Sequence, residues 1–277
     1  DWYRGWIINC FYFNKSITMI PVLEFINNRK AAIKIAHRGG MALYPENTLE
    51  AFHGSVDFHK VEMLEMDLQI TKDDQVIVLH DDCVDRTTNG TGKAIDLSYE
   101  EISEFDAGYN FKDEKGNLSF RDKGVKIPLF EEVLKQLPNT YLNIELKGNN
   151  PTLVQKTVPL ITNYNAEDKI LIGSANYFQN KRVQRHFPNC GYYLSRLELY
   201  LFIFRGYFGL LKRDGDKFLT VEAPMEHHGI PVYQTFLKAT NKLGKPLFVW
   251  GANDKDTIQK LIADGVAGIM TDRPDLF

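Results

Sequence analysis

The stretch LEMDLQITKDDQVIVLHDD, from Leu64 to Asp82, carries the main signal for the fold and the chemistry of this chain. Its first half alternates apolar and polar residues, so Glu65 and Asp67 project from the same side of a predicted strand. An unpaired acid in a buried strand costs several kcal/mol. We therefore expect a compensating group where these two carboxylates point, and we note that His80 ends the second predicted strand of the stretch.

Short β-branched runs alternate with helix-period segments from residue 33 onward. This alternation is typical of a parallel barrel or of a doubly wound sheet. Nine strand candidates can be counted, one more than a barrel of eight needs. Because MLEMDLQI and QVIVLHD leave no room for a helix between them, we expect the extra strand to lie in this pair.

A long connection rich in turn signals follows His80 and ends near Tyr141. Connections of this length in a compact domain are usually functional loops or small insertions. No internal repeat or low-complexity linker divides the chain. We predict an aromatic-rich N-terminal arm or helix over 1–30 and a catalytic domain over 31–277, with an insertion at about 81–128.

The composition excludes several classes of protein. Apolar residues make up 44% and charged residues 25%, as is usual for a globular domain. The 33 basic and 36 acidic residues leave a formal net charge of −3, which gives no electrostatic case for nucleic-acid binding. Cys10, Cys83 and Cys190 form no CxxC pair, so neither a disulfide framework nor a thiolate zinc site is indicated.

Two aromatic-rich segments, 1–25 and 197–213, raise the question of membrane contact. Both are interrupted by polar residues, and neither reaches the roughly 18–20 apolar residues that a bilayer span needs. The first is read either as a helix or arm packed against the domain or as an interfacial segment beside a membrane anchor. The second is read either as a buried helix or as a lipid-contacting lip near the site. The chain begins at Asp1 rather than Met, which indicates a piece of a longer protein, and no signal peptide is identified. We expect either a soluble protein or a membrane-associated one with its catalytic domain outside the bilayer.

Titratable side chains end several of the predicted strands. Asn143, Glu145 and Lys147 share one side of YLNIELKG, and His37 ends IKIAH. In a parallel barrel such ends meet at the carboxyl edge, where sites are built. Converging carboxylates would repel each other without a cation. Because the ligands are oxygens, we predict Ca²⁺ or Mg²⁺ rather than zinc.

The segments AHRGG, PENTLEAF, LEMDLQITKDDQVIVLHDDCVDRTTNGTG, IPLFEEVL, LNIELKG, VWGAND and GIMTDRP together resemble the glycerophosphodiester phosphodiesterase family. The resemblance runs from about Ile33 to the C-terminus. It implies a TIM (β/α)8 barrel of the phospholipase-C-like kind with a small insertion between strand 3 and strand 4. It also implies metal-dependent hydrolysis of glycerophosphodiesters to sn-glycerol 3-phosphate and an alcohol.

The resemblance also implies a role for each residue that matches the family by position. These residues are the metal ligands Glu65, Asp67 and Glu145, the acid–base pair His37 and His80, the phosphate-binding cations Arg38 and Lys147, and the pocket aromatic Trp250. Cations at the phosphate would meet the charge that gathers on its oxygens, and an arginine can bind two of those oxygens at once. Glu222 ends its strand facing the same region and is a candidate substrate contact.

Several alternatives stay open at this point. A lysophospholipase D would keep the chemistry and act on a lipid that retains one acyl chain. A sphingomyelinase-D-like enzyme or a non-catalytic binding module fits the sequence less well. Neither the histidine that acts as acid nor the nucleophile, a glycerol hydroxyl or water, is decided.

Smaller features near the predicted site carry weaker expectations. In PENT we expect Asn47 to cap the following helix and Glu46 to contact a substrate hydroxyl or the surroundings of the metal. The adjacent His227 and His228 follow a predicted strand and could reach the rim of the site. His53, His59 and His186 lie in helical patterns and are read as surface or packing residues.

Overall fold

Eight parallel strands form a curled sheet in the part of the chain that this computed structural model describes, residues 21–211, 220–227 and 229–277. The strands in chain order are β1 (Ile33–Ala36), β2 (Met63–Ile70), β3 (Val76–Val78), β4 (Tyr141–Leu146), β5 (Ile170–Gly173), β6 (Gly191–Tyr192), β7 (Val221–Pro224), β8 (Glu226–His227), β9 (Ile230–Pro231), β10 (Leu247–Trp250) and β11 (Gly268–Thr271). The parallel strands are ordered β6-β5-β4-β2-β1-β11-β10-β7, and a bridge between Tyr193 and Thr220 joins the two edges. The predicted α/β barrel architecture is confirmed.

The extra strand is β3, which pairs antiparallel with the far end of β2. Leu68 faces Val78 and Ile70 faces Val76, so β2 extends beyond the barrel wall and the chain then turns back. Because β3 is antiparallel, His80 does not follow the carboxyl end of a parallel barrel strand, as His37 does. The returning chain brings it to the level of Asp67, whose carbonyl accepts a hydrogen bond from the Leu79 amide at 2.9 Å.

The helices pack around the outside of the strands and below the barrel. They are α1 (Pro21–Asn27), α2 (Leu49–His53), α3 (Tyr99–Ser103), α4 (Phe130–Gln136), α5 (Pro151–Asn163), α6 (Tyr177–His186), α7 (Arg196–Tyr207), α8 (Tyr233–Leu243) and α9 (Lys255–Asp264). As the sequence predicts, α9 ends at Gly265, which has φ 82° and supplies the left-handed cap. Across residues 21–211, 220–227 and 229–277, we find no helix whose length and apolar character would let it cross a membrane.

The strands that carry the predicted site have one apolar face and one polar face. In β2, Leu64 and Met66 pack outward against the helices, while Glu65 and Asp67 project into the barrel. The lower barrel is filled by a buried apolar cluster, closed from beneath by α1: Val22, Ile26, Ile33, Ile35, Met63, Leu171, Tyr193, Phe248 and Met270. Inside the barrel, the polar side chains that line the cavity therefore lie above this apolar layer.

The connection between β3 and β4 has a small apolar cluster of its own. This cluster includes Ile77, Val84, Ile102, Val125 and Ile127, all buried, and the segment contains α3. The division of the chain into an arm, a catalytic domain and an insertion stays a prediction. Residues 1–20 of the predicted arm lie outside the described residues, and α1 is the part of it that the structure describes.

Helix α7 is not buried. Of its residues only Phe202 is buried, while Leu197, Tyr200, Leu201 and Phe204 are exposed. The reading of 197–213 as a buried helix is therefore wrong for the part that the structure describes, which ends at residue 211. The exposed residues recur at helical spacing and form one apolar stripe on the surface.

Candidate active site

A cavity of about 340 Å³ opens at the upper end of the barrel. Its lining includes Glu222 and every residue to which the family resemblance assigns a role: His37, Arg38, Glu65, Asp67, His80, Glu145, Lys147 and Trp250. These residues come from separate strands and loops, so only the folded chain assembles them. Trp250 is 44% exposed and stands at the mouth, where an aromatic ring can contact an entering substrate.

Two carboxylates converge on one ammonium group at the base of this cavity. Asp67 and Glu145 are direct neighbours in the β2–β4 register. The Lys147 Nζ lies 2.8 Å from Asp67 Oδ1 and 2.7 Å from Glu145 Oε2. The two acids are therefore no farther apart than these two short contacts placed end to end. Although burial opposes it, the Lys147 and Arg38 charges hold the pKa of Asp67 below its usual range.

Glu65 precedes Asp67 by two residues on β2 and has less positive charge close to it. Its Oε2 accepts a hydrogen bond from the Arg38 backbone amide at 2.8 Å. Burial, followed by repulsion from Asp67, raises the pKa of Glu65 to about 7. A buried carboxylate with this pKa is a group that gains from a nearby cation.

The donor chemistry at this point suits a hard divalent cation, because Glu65, Asp67 and Glu145 offer carboxylate oxygens. In the described ranges, however, no group of three or more His, Cys, Asp or Glu side chains is arranged to hold a metal ion. The ammonium of Lys147 takes up part of the negative charge that a metal would balance.

A sharp turn after β1 places Arg38 over the carboxylates. Arg38 itself has φ 48°, and Gly39 and Gly40 follow with φ 81° and 89°. A Cβ on Gly39 would lie 2.7 Å from the Cβ of Ala51, so both the backbone conformation and the packing require glycine there. The HRGG sequence thus allows the chain to form a tight turn beside the site.

The guanidinium of Arg38 is suited to bind an anion. Its Nη1 donates to Glu46 Oε1 at 3.0 Å, and its Nε lies 3.4 Å from Asp67 Oδ2. This Nε is buried and has no hydrogen-bond partner within the described part of the chain. Buried donors are normally hydrogen-bonded, so a ligand oxygen is the expected partner.

Each cavity histidine is held through Nδ1 by an aspartate. His37 Nδ1 lies 2.6 Å from Asp272 Oδ1, and His80 Nδ1 lies 2.6 Å from Asp81 Oδ1. Although partial burial opposes it, hydrogen bonds from Arg86 and His80 lower the pKa of Asp81 to about 2. Its ionised carboxylate can only accept, so Nδ1 carries the proton and Nε2 is left for proton transfer.

Sequence reasoning missed the two aspartates and misjudged Asn47. Thr48 caps α2, with its Oγ1 accepting from the Ala51 amide at 3.2 Å. Asn47 adopts φ 58° and donates from Nδ2 to Asp67 Oδ2 at 2.9 Å, so it supports the carboxylate cluster. The sequence carries one signal for Asp272, the partner of His37, because this aspartate directly follows strand β11.

The other histidines lie away from the chemistry. His53 and His59 make polar contacts with Gln136 and Tyr44 on the outside of the fold, as their helical positions indicate. His227 is exposed in β8 and is not among the residues that line the cavity. His228 lies outside the described residues.

A family model described as the glycerophosphoryl diester phosphodiesterase family matches residues 37–183 and 207–276. The chain belongs to the glycerophosphodiester phosphodiesterase family. It is therefore a phosphoric diester hydrolase. A glycerophosphodiester phosphodiesterase of Caldanaerobacter subterraneus subsp. tengcongensis is 32% identical over 87% of this chain and 94% of its own length.

Two further comparisons place this glycerophosphodiester phosphodiesterase among its relatives. Lysophospholipase D GDPD1 of Homo sapiens is 28% identical over 98% of this chain and 92% of its own length. The structure of an Oleispira antarctica phosphodiesterase in complex with the product sn-glycerol-3-phosphate has a TM-score of 0.69. At 22% identity it covers 88% of this chain and 94% of the other, which supports the shared barrel.

Glu222 generates a prediction about stability. Its Oε1 accepts from Asn143 Nδ2 at 2.8 Å, and burial raises its pKa from 4.5 to about 8. Between these pH values the folded state holds a proton that the unfolded state releases, so stability contributed by this group is lost as the pH rises. We expect Glu222→Gln to be more stable than the wild type at pH 8, by about 1 kcal/mol or more, and similar to it near pH 4.5. Urea unfolding with chelator present measures this.

A control of opposite sign is available at Glu198, whose pKa is lowered to about 2 by hydrogen bonds from Lys181 and Ser195 despite partial burial. That group stabilises the folded state above its unfolded pKa, so Glu198→Gln should be less stable than the wild type at pH 8. An unchanged difference between Glu222→Gln and the wild type from pH 4.5 to 8 would contradict the expectation.

Proposed function

We propose that this enzyme hydrolyses glycerophosphodiesters to sn-glycerol 3-phosphate and an alcohol, with a divalent cation and two histidines. The observation that carries the proposal is the single cavity into which the carboxylates, cations and both histidines project. This hydrolysis needs cations that bind the phosphate, carboxylates that hold the metal ion and two groups that transfer protons. The product bound in the Oleispira antarctica relative supports the same choice of substrate.

The phosphodiester would lie against Arg38 and Lys147. The buried Nε of Arg38, which lacks a hydrogen-bond partner among the described residues, supplies a donor for one phosphate oxygen, and the planar guanidinium is suited to bind two. Lys147 is a compact cation already directed at the carboxylates. The negative charge that builds up on the non-bridging oxygens would then face two fixed positive groups.

The divalent cation, Ca²⁺ or Mg²⁺, would be held by Glu65, Asp67 and Glu145. When bound, such a cation supplies Lewis-acid polarisation of a phosphoryl oxygen. The raised pKa of Glu65 supports this assignment, since burial and Asp67 leave this carboxyl short of positive charge. Glu222, at the wall of the cavity, and Trp250, at its mouth, would contact the substrate.

The two histidines would share the proton transfers. The Nε2 of one histidine takes the proton from the attacking hydroxyl. The Nε2 of the other histidine gives a proton to the departing alkoxide. Asp272 and Asp81 fix the ring of each histidine and stabilise the imidazolium form when it appears. The attacking hydroxyl belongs either to water, which gives sn-glycerol 3-phosphate directly, or to the substrate glycerol. The glycerol route expels the alcohol and gives a cyclic phosphate, which water then opens to glycerol phosphate.

The direct test is turnover of glycerophosphocholine with choline and sn-glycerol 3-phosphate measured separately. We expect activity that is lost on adding EDTA and restored by Ca²⁺ or Mg²⁺. His80→Ala should lower kcat by roughly 10²–10⁴-fold, because a positioned acid or base contributes about that factor. His53→Ala, on the outside of the fold, is the matched control and should retain wild-type turnover.

The proposed catalytic role of His80 is wrong if His80→Ala keeps kcat within twofold of the wild type. The proposed substrate class is wrong if folded wild-type enzyme with either cation releases no glycerol 3-phosphate.

A second candidate function, lysophospholipase D, is favoured by helix α7. Arg196 and Leu199, in its first turn, line the cavity together with Leu194. The exposed apolar stripe begins on the same helix, so it continues from the cavity wall onto the surface. An acyl chain attached to the bound phosphodiester could therefore leave along α7. The human relative bears the name of this activity.

The same stripe supports contact with a lipid surface, which we propose for the described part of 197–213. The exposed members of this patch are Leu197, Tyr200, Leu201, Phe204, Tyr207, Phe208 and Leu210. Aromatic and leucine side chains on one helix face are typical of segments that lie in the membrane interface. The other predicted lipid contact, residues 1–25, lies almost entirely outside the described residues.

Paired substitutions on α7 test the lipid contact. We expect Leu201→Ser with Phe204→Ser to lower the ratio of lysophosphatidylcholine to glycerophosphocholine turnover at least threefold, because only the first substrate uses the apolar stripe. The same variant should bind phosphatidylcholine vesicles more weakly in sedimentation. Phe58→Ser is the matched control, since Phe58 is 78% exposed but lies at the end of the π-helical segment Gly54–Phe58, which follows α2.

Unchanged vesicle binding and an unchanged substrate ratio in the α7 variant would rule out the lipid surface. Preference of the wild type for glycerophosphocholine in every vesicle composition would rule out the lysophospholipase D.

A further inference from the structure

Arg86, in the connection between β3 and β4, joins two carboxylates beside the cavity. Its Nη1 and Nη2 donate to the two oxygens of Glu46 at 2.7 and 2.8 Å. Its Nε donates to Asp81 Oδ2 at 2.5 Å. One guanidinium thus satisfies three carboxylate oxygens, a geometry that a lysine ammonium cannot reproduce.

Each of these carboxylates also holds a residue that lines the cavity. Glu46 Oε1 accepts from Arg38 Nη1 at 3.0 Å, and Asp81 Oδ1 accepts from His80 Nδ1 at 2.6 Å. The contacts form a continuous chain from Arg38 through Glu46, Arg86 and Asp81 to His80. Arg86 is the central member of that chain.

We propose that Arg86 is a positioning residue that sets Arg38 for phosphate binding and His80 for proton transfer at the same time. The inference rests on the proposed function, since it takes those two roles from it. Arg86 itself is not among the residues that line the cavity, so it acts through Glu46 and Asp81.

The charge balance explains why the centre of the chain matters. The Glu46 side chain is only 8% exposed and lies between two guanidinium groups. Although burial opposes it, the Arg86 hydrogen bond and the Arg38 charge hold the pKa of Glu46 below its usual range. Without Arg86, one hydrogen bond, from Arg38 Nη1 to Glu46 Oε1, would still join these two side chains. The pair could then rotate together.

The backbone around Arg86 is itself fixed by a neighbouring amide. Asn110 Nδ2 donates to the carbonyls of Asp85, Arg86 and Thr88 at 3.3, 3.1 and 2.9 Å. This three-way contact ties two parts of the β3–β4 connection together. The connection therefore contributes to the site by presenting Arg86 in a set position.

Steady-state kinetics on glycerophosphocholine separate the two arms of the chain. We expect Glu46→Gln mainly to raise KM, because it loosens Arg38, and Asp81→Asn mainly to lower kcat, because it releases His80. Arg86→Met should do both, with a roughly 10–100-fold loss of kcat/KM, the range seen when groups that orient site residues are removed. Arg86→Lys should recover little of that loss.

A double-mutant cycle adds a measure of coupling. If Arg86 acts through Asp81, the double variant Arg86→Met with Asp81→Asn should lose less kcat than the product of the two single losses. Lys156→Met is the matched control, because Lys156 is 47% exposed, against 46% for Arg86, and pairs with Asp74 away from the cavity. It should leave kcat and KM unchanged.

The inference is overturned if folded Arg86→Met keeps kcat and KM within twofold of the wild type, or if the double variant loses the full product. A lowered melting temperature with unchanged kinetics would likewise show a structural role only, which overturns it. If the wild type does not hydrolyse glycerophosphocholine at all, it is the proposed function that fails, since every expectation here is a ratio to wild-type activity.

Discussion

The structure depends on one electrostatic constraint, the gathering of carboxylates at the upper end of β2 and β4. Register places Asp67 beside Glu145, and strand alternation places Glu65 below them. Such a cluster is stable only with positive charge close by. The ammonium of Lys147 and the guanidinium of Arg38 supply positive charge, while burial and the charge of Asp67 raise the pKa of Glu65.

Several features from different parts of the chain serve this constraint. The strained turn at Arg38 and Gly39 brings a backbone amide to Glu65 and a guanidinium near Asp67. The hairpin formed by β2 and β3 returns the chain to the level of Asp67 and so delivers His80. The long connection that follows supplies Arg86. The apolar layer below keeps all of this polar chemistry at one end of the barrel.

Much of the fold and the site could be predicted because the signals are local. Period-two alternation put Glu65 and Asp67 on one side, and the short spacing before His80 identified an extra strand. The path to His80 could not be predicted, because the antiparallel direction of β3 depends on pairing rather than on pattern. Asp272 was missed for a similar reason, since its role depends on a contact with His37 that is distant in sequence. The sequence also left the exposure of α7 open, because an apolar helix has the same sequence pattern whether it is buried or exposed.

The central claim is that the carboxylate cluster holds a divalent cation at the phosphate. A crystal structure of the wild type with Ca²⁺ and sn-glycerol 3-phosphate tests it most directly. We expect one ion with oxygens of Glu65, Asp67 and Glu145 at roughly 2.3–2.6 Å, and a phosphate oxygen on Arg38. An ion bound elsewhere, or a phosphate bound while the Lys147 ammonium alone bridges Asp67 and Glu145, would contradict it.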